Sequence, residues 1–163
     1  CLPVDLSDEA AAKLIEFLNQ NKVRYEILHH PEAFTAQELA AIEHVKGKQH
    51  AKVVMVKTDG APMMAVLPAD HRVDLEKFDR LTGKPTVLAT ETEFKTLFPD
   101  CAVGTMPPFG SLYGLETYVD RTLAENEMIV FEAGTHSDAV KMRYGDFARV
   151  ANPKLADFAV KSR

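Results

Sequence analysis

No apolar run in this chain approaches the roughly 20 residues that a membrane-spanning helix requires. Stretches such as residues 63–67 and 128–131 are far shorter, so a soluble protein with no membrane partner is expected. Cysteine is scarce. Cys1 and Cys101 stand far apart and fit neither a CxxC redox pair nor a zinc knuckle, which leaves both as free thiols. His29 and His30 point to opposite faces of a strand, and His44 and His50 make no ligand pattern with neighbouring Cys or carboxylates. Neither a metal site nor a cofactor is expected. The first residues, Cys1-Leu2-Pro3-Val4-Asp5, lack the basic-then-apolar order of a secretory signal, and cytoplasmic residence is the expectation. The chain contains no nucleophile elbow, Walker loop, dinucleotide fingerprint or zinc-protease helix. Positive charge is in deficit as well. A net charge of −5 repels a polyanion, so extended nonspecific DNA binding is excluded and any nucleic-acid contact must use a local basic patch.

The 163 residues, 46% of them hydrophobic, suffice for the core of one domain spanning 1–163. Ser7 is placed to cap a first helix on which Ala11, Leu14, Ile15 and Leu18 recur at helical spacing. Residues 23–28 alternate as a half-buried strand does. Thr35 and Glu38 form a capping box, with Phe34 placed to staple onto Leu39, so a second helix is expected from Thr35 toward His44. Residues 52–57 and 63–67 flank Asp59-Gly60 and read as a hairpin. Asp74 caps a short helix carrying Leu75, Phe78 and Leu81 and closed by Gly83. A strand follows at 86–89, and then a second capping box, Thr90 with Glu93. Residues 101–114 hold too many breakers for a regular element and read as an ordered loop. Strands are expected at 116–119, 128–131 and near 139–142, and a terminal helix from Asp146. Helices and strands are interspersed without a strict βαβ rhythm, which predicts an α+β fold with helices packed on a mixed sheet.

Three features could carry chemistry. Lys52 opens an apolar strand on the face of Val54 and Val56. Its ammonium either snorkels to the sheet edge or sits in a pocket that receives an anion. The loop Gly104-Thr105-Met106-Pro107-Pro108 joins two rigid φ angles to a flexible glycine; it is either a plain connection or a backbone surface shaped for a ligand, whose N–H groups could hold an oxyanion. The turn Gly134-Thr135-His136 follows a strand, and His136 is either an exposed turn histidine or a group that donates to substrate or shuttles a proton. Lys46, Lys48, Lys52 and Lys57 concentrate positive charge, forming either a solvated edge or a contact for a few phosphates.

Taken in order, these segments resemble the YbaK/ProRS-associated editing family, which includes a deacylase of Cys-tRNA(Pro) and the insertion domain of prolyl-tRNA synthetase. The resemblance spans nearly the whole chain. It rests on His30-Pro31 before Phe34-Thr35, on the strand opened by Lys52, on Gly104 to Pro108 as the family's GxxPP loop, and on Phe131-Glu132-Ala133-Gly134-Thr135-His136 leading to Gly145-Asp146. It implies a mixed, partly closed sheet flanked by helices, and hydrolysis of the ester that joins a wrong amino acid to a tRNA 3′ end. By this resemblance Lys52 contacts the terminal nucleotide and orients the ester, and His136 assists. Gly104, Thr105, Met106, Pro107 and Pro108 hold the reacting end, while Gly134 and Thr135 line the pocket. A ribose hydroxyl or a water performs the attack, and a synthetase is a possible partner. Pro107-Pro108-Phe109 is intact, unlike in Cys-specific members, and Val53 stands where Ala-specific members carry asparagine, so a third editing specificity is indicated.

Two readings compete with a deacylase of mischarged tRNA. A noncatalytic module would keep the pocket and bind a tRNA end, a nucleotide or a synthetase. A hydrolase of small esters or amides needs an activated nucleophile, and neither Ser111 nor Cys101 has a base near it in sequence.

Overall fold

Leu14 and Leu18, one turn apart and both fully buried, fix the inward face of the first helix, α1 (Glu9–Gln20), while Lys13 and Glu16 stay in solvent. In this computed structural model the described residues are 9–29, 48–90, 92–93, 96–97, 106–133 and 138–161. The expected Ser7 cap, the expected 35–44 helix and both cysteines lie outside them. After α1 the chain turns through Lys22 at φ 56°, and the Val23 N–H donates to Leu18 O at 3.0 Å. The strand β1 (Tyr25–His29) therefore starts two residues later than alternation alone suggests.

The hairpin of β2 (Ala51–Thr58) and β3 (Ala61–Pro68) forms as expected. Asp59 and Gly60 both take positive φ, 51° and 83°, the geometry of a two-residue hairpin turn, and this sets Lys52 opposite Leu67. A short strand, β4 (His71–Val73), leads to α2 (Leu75–Thr82). The Asp74 side chain accepts from the Glu76 and Lys77 N–H groups at the start of α2, and Gly83 closes it at φ 73°. Then come β5 (Thr86–Leu88), β6 (Glu116–Asp120), β7 (Met128–Glu132), β8 (Asp138–Arg143), α3 (Tyr144–Ala151), β9 (Lys154–Ala156) and β10 (Ala159–Lys161).

Among the described residues the strands form three sheets. The largest runs β5-β2-β3-β6-β9, antiparallel through β3 and parallel from β3 to β6 to β9. The antiparallel trio β1-β8-β7 and the pair β10-β4 complete the set. Strand β3 is central, and its residues Met64 to Leu67 are fully buried on both faces, which explains its unbroken apolar run. One face of the large sheet, with Met55, Met64 and Val66, packs against α1, α3 and the inner face of the trio. The other face, with Val56, Ala65 and Leu67, is covered by Phe78 of α2 and by Phe158. The Phe78 ring meets Tyr118 and Phe158 edge-on at 5.2 and 5.3 Å.

The fold is thus α+β with mixed sheets and flanking helices. Closure is limited among the described residues to one parallel bridge, His50 to Val130, so the sheets do not form a barrel. Two local expectations are corrected. The last helix begins at Tyr144, and Asp146 sits in its first turn without capping it. The 101–114 segment is not wholly irregular, because Gly110–Tyr113 form a 3-10 turn.

Candidate active site

Strand alternation decides where Lys52 goes. Its neighbours Ala51, Val53 and Met55 enter the core with α1, whereas Lys52 turns to the side of Val54 and Val56. The hairpin register carries the chain leaving β3 back toward it. The Lys52 Nζ lies 3.5 Å from Ala69 O, and the Asp70 carboxylate is its principal charged neighbour. Burial pushes the Lys52 ammonium below the usual lysine range, and Asp70 opposes that shift. Asp70 is itself held by His71 Nδ1 at 2.6 Å. A half-buried cation with one carboxylate beside it keeps part of its field for an incoming anion.

The proline loop is anchored from its downstream end. Met106, Pro107 and Pro108 are buried, and Phe109 is fully so. The Phe109 ring meets Phe17 of α1, Phe131 of β7 and Phe147 of α3 edge-on, at 5.7, 5.5 and 5.4 Å. Its N–H donates to Pro107 O at 2.8 Å, tightening the backbone just after the two prolines. Gly110 must be glycine for a steric reason: a Cβ there would lie 2.7 Å from Leu115 O and closer still to the Thr117 hydroxyl. Proline has no N–H, and the Pro107 carbonyl is already engaged. Any backbone donors that this motif offers a ligand are therefore those of Gly104, Thr105 and Met106.

Of the residues singled out from sequence, Lys52, Met106, Pro107 and Pro108 are described, whereas Gly104, Thr105, Gly134, Thr135 and His136 lie outside the described residues. Met106 and Phe109 share a packed cluster with Ala133 and with Ala51 and Met55, on the face of β2 opposite to the Lys52 side chain. The lysine run dissolves as a patch. Lys46 is outside the described residues, Lys48 is exposed, Lys52 is half-buried, and Lys57 is paired with Glu93. Glu93 completes its capping box, accepting from the Thr90 N–H at 2.9 Å, and Lys57 together with Thr90 holds its carboxyl at about 2. Among the described residues no group of three or more His, Cys, Asp or Glu could hold a metal ion, and no helix is long and apolar enough to cross a membrane. Asp70 and His71 escaped the sequence reading. The hairpin register was the available signal for Asp70, since pairing Lys52 with Leu67 brings the chain just past β3 to the lysine.

Comparison with known proteins gives the family of the chain and relatives of its fold. A family model described as an aminoacyl-tRNA editing domain matches residues 30–150. The chain is 28% identical over 152 residues to the Multifunctional Ser/Thr-tRNA deacylase ProXp-y of Escherichia coli K12, covering 90% of each chain. Among solved structures it resembles the hypothetical protein APE2540, with a TM-score of 0.83 at 22% identity over 91% of this chain and 99% of that one. It also resembles a candidate trans-editing enzyme for prolyl-tRNA synthetase, with a TM-score of 0.81 at 22% identity over 99% of this chain and 100% of that one.

Proposed function

The chain belongs to the aminoacyl-tRNA editing domain family, and from that premise we propose that it is a trans-acting deacylase that hydrolyses the ester between a small wrong amino acid and a tRNA 3′ end. The observation that carries the reading is the family match over 30–150, which contains Lys52, the Gly104 to Pro108 loop and the Gly134 to His136 turn. The 28% identity to a Ser/Thr-tRNA deacylase directs the first trials to seryl and threonyl esters. The site works in the cytoplasm, where charged tRNA is found, either alone or beside a synthetase.

An aminoacyl ester is already activated, so positioning and charge stabilisation suffice for catalysis. Lys52 holds the anionic terminal nucleotide. The N–H groups of Gly104, Thr105 and Met106 receive the carbonyl oxygen as it gains charge. A water, relayed by the terminal ribose hydroxyl or by His136, adds to the carbonyl carbon; the bond to the ribose oxygen breaks, and that oxygen takes the proton. Gly134 and Thr135 line the side-chain pocket. An apolar pocket discriminates between small side chains by only about 1–3 kcal/mol, so specificity depends on few lining atoms.

The test is a deacylation panel in which tRNA(Pro) and other tRNAs carry Ala, Cys, Ser or Thr. Release of at least one of these amino acids with turnover is expected, along with a loss of about 100-fold or more in Lys52→Ala. Binding of every tRNA with hydrolysis of none would convert the reading to a noncatalytic module.

A further inference from the structure

The outer face of the β1-β8-β7 sheet carries charge that the fold does not use. Lys141 and Arg143 are two residues apart on β8, hence on one face and about 7 Å from each other along the strand. The β1–β8 ladder pairs Tyr25 with Met142, so Arg24, one step beyond, comes opposite Arg143. Together with Tyr25, Glu26 and Met128 these three cations line an open groove of about 310 Å³. Glu26 faces Lys141 across the ladder and is the groove's single carboxylate.

Like charges brought opposite one another on neighbouring strands destabilise a sheet. Among the described residues, Arg24, Lys141 and Arg143 form no ion pair, whereas Lys57, Lys77, Lys84, Lys154, Arg121 and Arg149 each do. A chain with a net charge of −5 thus concentrates three cations against one carboxylate in one groove, and none of the three is closed into an ion pair among the described residues. A local arrangement that costs stability without a compensating contact marks a surface built for something else. Strand β8 begins directly after residues 134–137, which the proposed function assigns in part to the site, and Lys141 and Arg143 stand about 10 and 17 Å along it from Asp138.

We propose that this groove of Arg24, Lys141 and Arg143 is a docking surface for the RNA sugar-phosphate backbone, gripping the acceptor arm of tRNA while its 3′ end enters the site. The inference rests on the proposed tRNA substrate. It adds a second contact, separate from the residues assigned to hydrolysis. Phosphate neutralisation by lysine and arginine releases counterions, so the groove supplies affinity that is independent of sequence and sensitive to salt.

The experiment measures binding of uncharged tRNA to the full chain across a salt series, for wild type, for Arg24→Ala, Lys141→Ala and Arg143→Ala singly, and for the triple variant. Each single change is expected to reduce the slope of log affinity against log salt by about 0.7–0.9. The triple variant is expected to bind about 10- to 100-fold more weakly at low salt, and Lys141→Arg should bind like wild type. These side chains are outside the core, so each variant is expected to keep or slightly raise the thermal midpoint, since losing Arg24 or Arg143 relieves their repulsion, and the single variants remain interpretable. A second readout is hydrolysis of a minimal aminoacyl-adenosine ester, which does not reach the groove and should be unaffected in every groove variant. Unchanged affinity and salt slope in the triple variant would overturn the proposal, as would loss of synthetase capture with tRNA binding intact. If tRNA binds through these residues but no ester is hydrolysed, the groove stands and the deacylase reading fails.

Discussion

Lys52 sits where burial works against its charge. Its ammonium is depressed by burial, with Asp70 in partial opposition, so folding a charged lysine here is unfavourable at neutral pH. Below its lowered folded pKa the lysine is protonated in both the folded and unfolded states and the penalty is fully present. The penalty fades as pH rises through that pKa. Lys52→Met should therefore raise the thermal midpoint at pH 7, with the gain shrinking at alkaline pH, while deacylation is lost. Thermal melts at pH 7 and pH 10 beside a deacylation assay check this; a lower midpoint at pH 7 would assign the lysine a structural role. Much of this residue's setting was legible beforehand, because a lysine at the head of the apolar strand 52–57 has few acceptable surroundings. Its companion Asp70 was not, since the contact depends on how the chain leaves β3.

At the scale of elements, the proline loop and the C-terminal strands are each held by one buried group. Phe109 ties the loop to α1, β7 and α3 at once. Phe109→Ala is expected to cost about 3–5 kcal/mol in denaturant unfolding. Gly110→Ala should destabilise by about 1–3 kcal/mol, because its methyl must displace the Leu115 carbonyl and the Thr117 hydroxyl. Asp120 does the same work at the other end. It accepts from the Phe158 and Ala159 N–H groups at 2.8 and 2.9 Å and from the Thr122 N–H at 3.0 Å, and the Thr122 hydroxyl also donates to it. Burial alone would push its carboxyl up, but these hydrogen bonds hold it below the usual carboxylate range. A depressed carboxyl stabilises above its unfolded pKa and loses that contribution as pH falls through the folded one. Asp120→Ala should therefore cost at least about 2 kcal/mol at pH 7, and the gap should narrow below about pH 4. Urea titrations at pH 7 and pH 3 measure both values. Elements with local determinants were readable: Asp59-Gly60, the Asp74 and Gly83 caps, and the Thr90 box all depend on residues within four positions. Strands β4, β9 and β10 were not, because three residues cannot display a period and their partners are remote in sequence. The start of α3 was placed two residues late for a related reason: Asp146 reads as a helix start, yet Tyr144 and Phe147, packed on each other and on the core, already belong to the helix.

For the whole molecule, the family match gives an aminoacyl-tRNA editing domain and the two structural likenesses share its fold, and the two proposed RNA contacts draw on separate cations. Lys52, proposed to meet the terminal nucleotide, is half-buried, and Arg24, Lys141 and Arg143 line a groove on an outer face. Sequence reading left the lysines of residues 46–57 as either a solvated edge or a phosphate contact, and of those described Lys48 is exposed, Lys52 half-buried and Lys57 paired. The cations gathered by the fold come instead from β8 and the approach to β1, and only the pairing of those strands brings them together. The most direct measurement is a time course of amino acid release from Ser-tRNA and Thr-tRNA by catalytic amounts of the wild-type chain and of Lys52→Ala. Multiple turnovers by wild type and a rate at least about 100-fold lower for Lys52→Ala are predicted; equal rates for the two proteins would contradict the account.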